Sequence, residues 1–319
     1  MRILTVRHAT TYRYARPVTF GQHRLMLRPR DSHDLRLVAA ELTLSPPGNL
    51  RWMHDVFGNS VALVDFNASA AMLTIISTLK IERYGLDGLQ FPIAPEAEFY
   101  PFIYSSSDRV DLGRLLEQHY PDPNGVLARW ADSFVTSRPM RTLELLTNMN
   151  AALKPDIIYA ERHEPGTQSP AETLATKTGA CRDFAMVFIE AARYLGFGAR
   201  FVSGYLYDPA LDRGDATQAV AATHAWAEVY LPGAGWIEYD PTRCAYCRRE
   251  FDPRRGNARP VSGNSNFREL YRQRCGFSGH DGRGRCDRTE LVAADCRPLH
   301  RNDVAFDAIT VIRIEAVAE

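Results

Sequence analysis

Apolar residues recur with two different periods along this chain, and the change of period divides it. Over residues 1–85 they alternate with polar ones in short runs: Ile3 to Tyr14, Leu35 to Leu44, Arg51 to Met53, Ser60 to Phe66 and Met72 to Glu82. In the last run Leu73, Ile75, Leu79 and Ile81 share one side, while Thr74, Thr78, Lys80 and Glu82 take the other. A period of two is that of a strand with one buried face. Pro46-Pro47-Gly48 and Asp55-Val56-Phe57-Gly58-Asn59 supply turns between runs, so the segment predicts a small antiparallel β-sandwich. Residues 86–140 predict a linker and helical section: proline-rich Phe91 to Pro101, then helices over Asp111–Tyr120 and Asn124–Ser137, the second with Asn124 as N-cap.

Residues 141–242 predict a mixed α+β core. Arg141 to Leu153 carries Leu143, Leu146, Met149 and Leu153 at helical spacing, a packing stripe. Ser169-Pro170-Ala171-Glu172 has the form of a capping box with proline at the first helical position, and it leads into the turn Thr178-Gly179-Ala180. Polar Glu161 to Gln168, just upstream, is a candidate wall of a cleft. Cys181-Arg182-Asp183-Phe184 then opens a helix apolar on all sides, which ends at Gly196 and Gly198. Ala199 to Tyr207 alternates as a strand. Asp208 to Ala222 reads as a loop that either covers a cleft or runs across the surface. Thr223 to Tyr230 alternates strictly, Pro232-Gly233-Ala234-Gly235 turns, and Trp236-Ile237-Glu238-Tyr239-Asp240 returns.

Three residues in this pattern carry chemistry. Cys181 falls in the first turn of its helix, where free N–H groups and the positive end of the dipole favour a thiolate. An antiparallel hairpin centred on residues 232–235 puts His224 and Asp240 at one open end, facing one side. A nucleophile, a base and a carboxylate that orients the base are the parts of an acyl-transfer site. A structural cysteine beside a surface histidine–aspartate hydrogen bond is the inert alternative. His8, His23, His33 and His54 have no metal-like spacing and read as ordinary polar residues of strands and loops.

The motifs Gly179-Ala180-Cys181-Arg182-Asp183-Phe184, Thr223-His224-Ala225-Trp226-Ala227-Glu228-Val229 and Gly235-Trp236-Ile237-Glu238-Tyr239-Asp240-Pro241-Thr242 resemble the transglutaminase-like superfamily of papain-fold cysteine enzymes. The likeness is to the bacterial branch with its own β-rich N-terminal domain, and it extends through Tyr12-Arg13-Tyr14, Leu25 to Arg30 and Asp55 to Asn59. It implies a papain-like core, with the cysteine helix packed on an antiparallel sheet bearing the histidine and aspartate. It also implies a Cys181, His224, Asp240 triad. Hydrolysis of a peptide or amide ranks first, because water is the only acceptor it needs. Protein crosslinking by a transglutaminase and a non-enzymatic binding scaffold are the alternatives. No acidic run has calcium-loop spacing, so no cofactor or metal is expected.

Composition changes the picture at residue 243. The tail, 243–319, holds five of the six cysteines and fifteen arginines with no lysine, and strand or helix patterning stops there. Cys244-x-x-Cys247, followed by Cys275, His280, Cys286, Cys296 and His300, suggests zinc, but no second knuckle at matched spacing completes the set. Read one base later through permissible codons, residues 243–288 instead yield a segment that resembles the tail of this family and ends in a strand-like alternation. A single-base frameshift near codon 243 is therefore expected, leaving an aberrant out-of-frame tail and, in the extreme, an inactive relic. Without that tail, 23 basic residues face 27 acidic ones, a net charge of −4, so the overall neutrality gives no reason to expect nucleic-acid binding. No apolar run is long enough to span a membrane, the first residues lack a signal peptide's apolar core, and residues 1–242 hold one cysteine. A cytoplasmic enzyme acting on a peptide or protein substrate is the resulting expectation.

Overall fold

The alternation of the N-terminal region becomes six strands: β1 (Arg2–Thr19), β2 (His23–Leu25), β3 (Leu35–Ser45), β4 (Gly48–His54), β5 (Ser60–Phe66) and β6 (Ser69–Arg83). The computed structural model describes residues 2–32, 35–84, 92–162, 164, 166–206, 222–243 and 308–310. Two antiparallel sheets form, ordered β1-β6-β3 and β2-β5-β4. Phe20, Leu25, Ala62, Val64, Phe66, Leu73 and Ile75 close the core of this region. Leu73 and Ile81 are fully buried, on the side expected from the pattern. Strand β2 was not foreseen, since three residues are too few to display alternation. Strand β4 runs well beyond Arg51–Met53, and it is so exposed along its length that no buried face marks its ends.

In the second region β7 (Phe99–Tyr100) pairs with β8 (Met140–Arg141), and the helices are α1 (Ser106–Leu112), α2 (Val126–Asp132) and α3 (Thr142–Asp156). The first two correct the sequence reading. Helix α1 begins earlier than Asp111 because the Ser105 hydroxyl accepts the Asp108 N–H at 3.1 Å, and the chain leaves it at Gly113 with φ +46°. Helix α2 is capped at Gly125, not Asn124. The Asp122 carboxylate takes the N–H groups of Val126 and Ala128 at 2.8 and 3.0 Å, doing from upstream what a capping side chain does. In α3, Leu145, Leu146, Met149 and Leu153 are fully buried, whereas Leu143 faces outward at 37% exposure.

Strand β9 (Ile158–Tyr159), α4 (Pro170–Thr176), β10 (Thr178–Gly179) and α5 (Cys181–Tyr194) follow, then β11 (Ala199–Leu206), β12 (Ala222–Leu231), β13 (Gly235–Tyr239) and β14 (Ala308–Thr310). The larger sheet is ordered β13-β12-β11-β14, antiparallel except that β14 runs parallel to β11. Helix α5 fills the core against it. Phe184, Val187, Phe188 and Ala191 cluster with Ala227, Val229, Ile237 and Tyr239, and the Phe188 and Tyr239 rings stack at 5.0 Å. Within this helix Glu190 and Arg193 are buried yet paired at 2.8 Å. The other Glu190 oxygen accepts the His119 and Tyr120 N–H groups, and Arg193 donates to the Ala199 carbonyl, so the buried charges tie the segment before α2 and the start of β11 to the cysteine helix.

The two regions meet beside β11. The Tyr205 hydroxyl lies 2.7 Å from His8 Nδ1, with the rings edge to face. Burial holds the His8 pKa below its ordinary value, so it is a neutral partner there. His23 packs edge-on against Phe20 and Phe66. The connection over 208–221, the cysteines and histidines considered for zinc, and the tail from 244, strand β14 apart, lie outside the described residues.

Candidate active site

Gly179 is required where the chain turns into α5, because a Cβ there would stand 2.9 Å from Asp183 Cβ and 3.3 Å from Thr173 Cγ2. Close packing of α4 and α5 against the turn thus selects the smallest residue. Ala180 is the N-cap and has no side chain able to cap. Asp183, in the first turn, supplies the reciprocal half of a capping box by accepting the Ala180 N–H at 2.8 Å. Cys181 is the first helical residue, a half-buried free thiol, and its own N–H belongs to the turn that lacks intrahelical acceptors.

The hairpin register aligns Ala227 with Tyr239 and Val229 with Ile237, leaving His224 and Asp240 at its open end as the turn dictated. His224 Nε2 lies 2.8 Å from Asp240 Oδ2. An ionised carboxylate only accepts, so Nε2 carries the proton and Nδ1 is the ring nitrogen available to sulfur. Cys181 neighbours this ring closely enough to raise its pKa. Burial pulls the His224 pKa down, but the hydrogen bonds to Asp240 and Cys181 outweigh it and raise the value to about 9. Burial acts on Asp240 in the opposite sense, raising its pKa, and is outweighed by the hydrogen bonds from His224 and Thr242; the net shift is downward. The indole of Trp226 lies nearly parallel to the imidazole, 6.2 Å away, and is itself buried.

Three further residues shape the site without having stood out in the sequence. Thr242 donates its hydroxyl to Asp240 Oδ1 at 2.7 Å and its N–H to the same oxygen at 3.0 Å, and the Arg243 N–H adds a third contact at 3.3 Å. One carboxylate oxygen is thereby occupied and the other is aimed at His224. Asn150, buried on α3, reaches the Asp240 carbonyl at 3.4 Å. Tyr159 is brought alongside Cys181 by the parallel pairing of β9 with β10, and its hydroxyl lies near the sulfur. Burial, then the neighbouring Cys181 and Glu161, push the Tyr159 pKa up to about 12, so the hydroxyl stays a donor at every physiological pH. The sequence motif after Asp240 contained Thr242, but nothing local marks Asn150 or Tyr159.

Within reach of a thiol, then, are an imidazole able to move a proton, a carboxylate fixing that imidazole, and the Tyr159 hydroxyl and Cys181 N–H as donors for an oxygen that gains charge. Among the described residues no group of three or more histidines, cysteines and acids is placed to hold a metal, and no helix is long and apolar enough to cross a membrane.

Comparison with known proteins agrees with this architecture. The family description "Bacterial transglutaminase-like N-terminal region" matches residues 4–82, and "Transglutaminase-like superfamily" matches residues 128–241. An uncharacterized protein of Mycobacterium tuberculosis is 29% identical over 247 residues, covering 74% of this chain and 77% of the relative. One from Mycobacterium leprae is 27% identical over 244 residues, covering 75% and 82%. Among solved structures, a protein described as "a Putative Cysteine Protease from Cytophaga hutchinsonii" shares the fold, with a TM-score of 0.55 and 17% identity over 76% of this chain and 77% of its own.

Proposed function

We propose that this chain, which belongs to the transglutaminase-like superfamily, is a cysteine hydrolase that cleaves a peptide or amide through a thioester on Cys181. The observation that carries the reading is the hydrogen-bonded set His224–Asp240–Thr242, with Cys181 at the helix start neighbouring the imidazole. The proton shared by Cys181 and His224 passes to the imidazole. Sulfur then attacks the carbonyl carbon, and the carbonyl oxygen takes the displaced electron pair, facing the Cys181 N–H and the Tyr159 hydroxyl. When the carbon–nitrogen bond breaks, His224 returns its proton to the departing amine, leaving the thioester. Water attacks next, giving its proton to His224, and the carbon–sulfur bond breaks to release the acid. Asp240 favours the imidazolium formed in both halves, and Thr242 keeps the carboxylate turned to His224. Water as the acceptor distinguishes this from crosslinking, in which an amine takes the acyl group. The compartment we propose is the cytoplasm.

The reading is tested with p-nitrophenyl acetate as acyl donor. Rapid acid quenching followed by peptide mass mapping is expected to find acetyl on the peptide containing Cys181, with turnover continuing in water and little acyl transfer to added primary amines. Cys181→Ala is expected to abolish both acetylation and turnover with the fold unchanged. Acetylation absent from Cys181, or turnover surviving in the Cys181→Ala variant, would overturn it.

A further inference from the structure

Immediately after the nucleophile come two charged side chains that the acyl-transfer steps do not use. Asp183 is fully buried. One of its oxygens accepts the Gln168 N–H at 2.8 Å, the other accepts the Ala180 N–H at 2.8 Å, and Arg162 Nη1 spans both at 2.9 and 3.0 Å. This exceeds what a capping residue requires, since Ala180 alone needed an acceptor. Arg182 turns the same way, donating Nη2 to the Arg162 and Glu164 carbonyls at 3.1 and 2.6 Å. The first turn of α5 therefore grips the strand exit after β9 from two sides.

That exit carries Tyr159. Its backbone is also anchored to the approach to Cys181: Ile158 donates to the Lys177 carbonyl at 2.8 Å and Ala160 to the Gly179 carbonyl at 2.9 Å. These two bonds fix the height of Tyr159 along β10. They do not fix how closely the strand exit leans toward the helix, because only two residue pairs make up the ladder. The Arg162–Asp183 ion pair joins the third residue beyond Tyr159 to the second beyond Cys181, and with the Arg182 bonds to the same exit it limits this freedom. A guanidinium nitrogen shared between both oxygens of a fully buried carboxylate is a charge-assisted contact that holds the two segments together.

We infer that Asp183 and Arg162 are positioning residues that set the approach of the Tyr159 hydroxyl to the Cys181 sulfur. The inference deepens the hydrolase reading and rests on it for the meaning of the Tyr159 donor, but the contact itself is measurable whether or not the chain turns over. Neither residue touches substrate. Both act through Tyr159, so removing Tyr159's hydroxyl should remove the consequence of disturbing them.

The test is a double-mutant cycle read by iodoacetamide capture of Cys181 at pH 6, with peptide mass mapping to separate Cys181 from the five cysteines of the tail. Full-length wild type, Tyr159→Phe, Arg162→Met and the double variant are compared, with circular dichroism and thermal unfolding recorded on each. Loss of a hydroxyl donor beside the reacting sulfur predicts that Tyr159→Phe slows capture by about tenfold. Arg162→Met is expected to slow it by several-fold alone and by less than about twofold when Tyr159 is already phenylalanine. Arg162→Lys, which retains the charge on a shorter and more mobile stem, should fall between wild type and Arg162→Met. Equal slowing by Arg162→Met in both backgrounds, or no slowing in a folded variant, would overturn the clamp. If the Arg162→Met variant does not fold, Arg162→Gln, which leaves both Asp183 oxygens to the Ala180 and Gln168 N–H groups, carries the same cycle with the same expected outcomes. The hydrolase reading fails separately, by loss of ester turnover or of His224-dependent capture in wild type.

Discussion

Replacing Asp240 by asparagine tests the site's electrostatics at its best-defined point. Three donors converge on Oδ1: the Thr242 hydroxyl and N–H and the Arg243 N–H. An asparagine must put its carboxamide oxygen there, because its NH2 group cannot accept them. The NH2 then faces His224 Nε2, which is forced to accept instead of donate. The neutral tautomer with its proton on Nδ1 results, and Nδ1 is the nitrogen that should take a proton from sulfur. Wild-type His224 titrates at about 9 against an ordinary 6.5. At about 1.36 kcal/mol per pKa unit this is on the order of 3 kcal/mol in favour of the imidazolium, with the Asp240 hydrogen bond the first of the stabilising causes. Losing even half of that should lower the His224 midpoint by more than about one unit. The expected fall in p-nitrophenyl acetate turnover is about 10²- to 10³-fold, less than the ~10⁴-fold of a serine triad, because a thiolate needs less help from its base. Asp240→Ala, which leaves room for water to accept from Nε2, should be no worse than Asp240→Asn. The His224 midpoint is followed by proton NMR of its ring and turnover by p-nitrophenolate release. A midpoint within about 0.3 unit of wild type, or an asparagine variant clearly more active than the alanine one, would refute the tautomer argument.

The raised His224 pKa also makes a stability prediction. Its stabilising contribution is fully present below pH 6.5 and is lost as pH rises through about 9, so the unfolding free-energy advantage of wild type over His224→Ala should be largest near pH 6 and shrink by pH 10, changing by at most about 3 kcal/mol. A constant advantage across that range would contradict it. Gly179→Ala inserts a Cβ 2.9 Å from Asp183 Cβ, and thermal or urea unfolding should show a loss of about 1–3 kcal/mol, with Cys181 capture disturbed as well. Resequencing the gene across the codons for Asp240 to Cys247 should reveal one extra or one missing base. If the reported frame stands, metal analysis of the purified chain decides whether the tail cysteines bind zinc.

Much of this protein was legible because its signals are local. Strand alternation in the N-terminal region depends only on which side of a pleat faces the core, and the strands at 60–66 and 72–82 follow from it. Cys181 at a helix start follows from the glycine turn before an apolar run. Even the meeting of His224 and Asp240 was readable, because a short hairpin fixes its register through its turn, and residues far apart in sequence then acquire a predictable distance. Helix ends were less legible: Asp122 caps α2 from three residues upstream of Gly125, a choice that depends on how the preceding loop folds back.

The rest belongs to the tertiary structure. Tyr159 reaches Cys181 only because β9 runs parallel to β10 across an intervening helix, and parallel pairing leaves no mark of register in the sequence. Arg162 and Asp183, unremarkable as two charges in a chain of many, become a contact that holds two segments together once burial removes water from one of them and leaves the other as its partner. The sequence by itself determined the period of the longer elements and the placing of a thiol at a helix start and of an imidazole and a carboxylate at one end of a hairpin, since these depend on near neighbours and one tight turn. Only the fold decided which donors stand around the sulfur and how firmly they are held, because such distances are set by packing between segments whose separation along the chain carries no periodic signal.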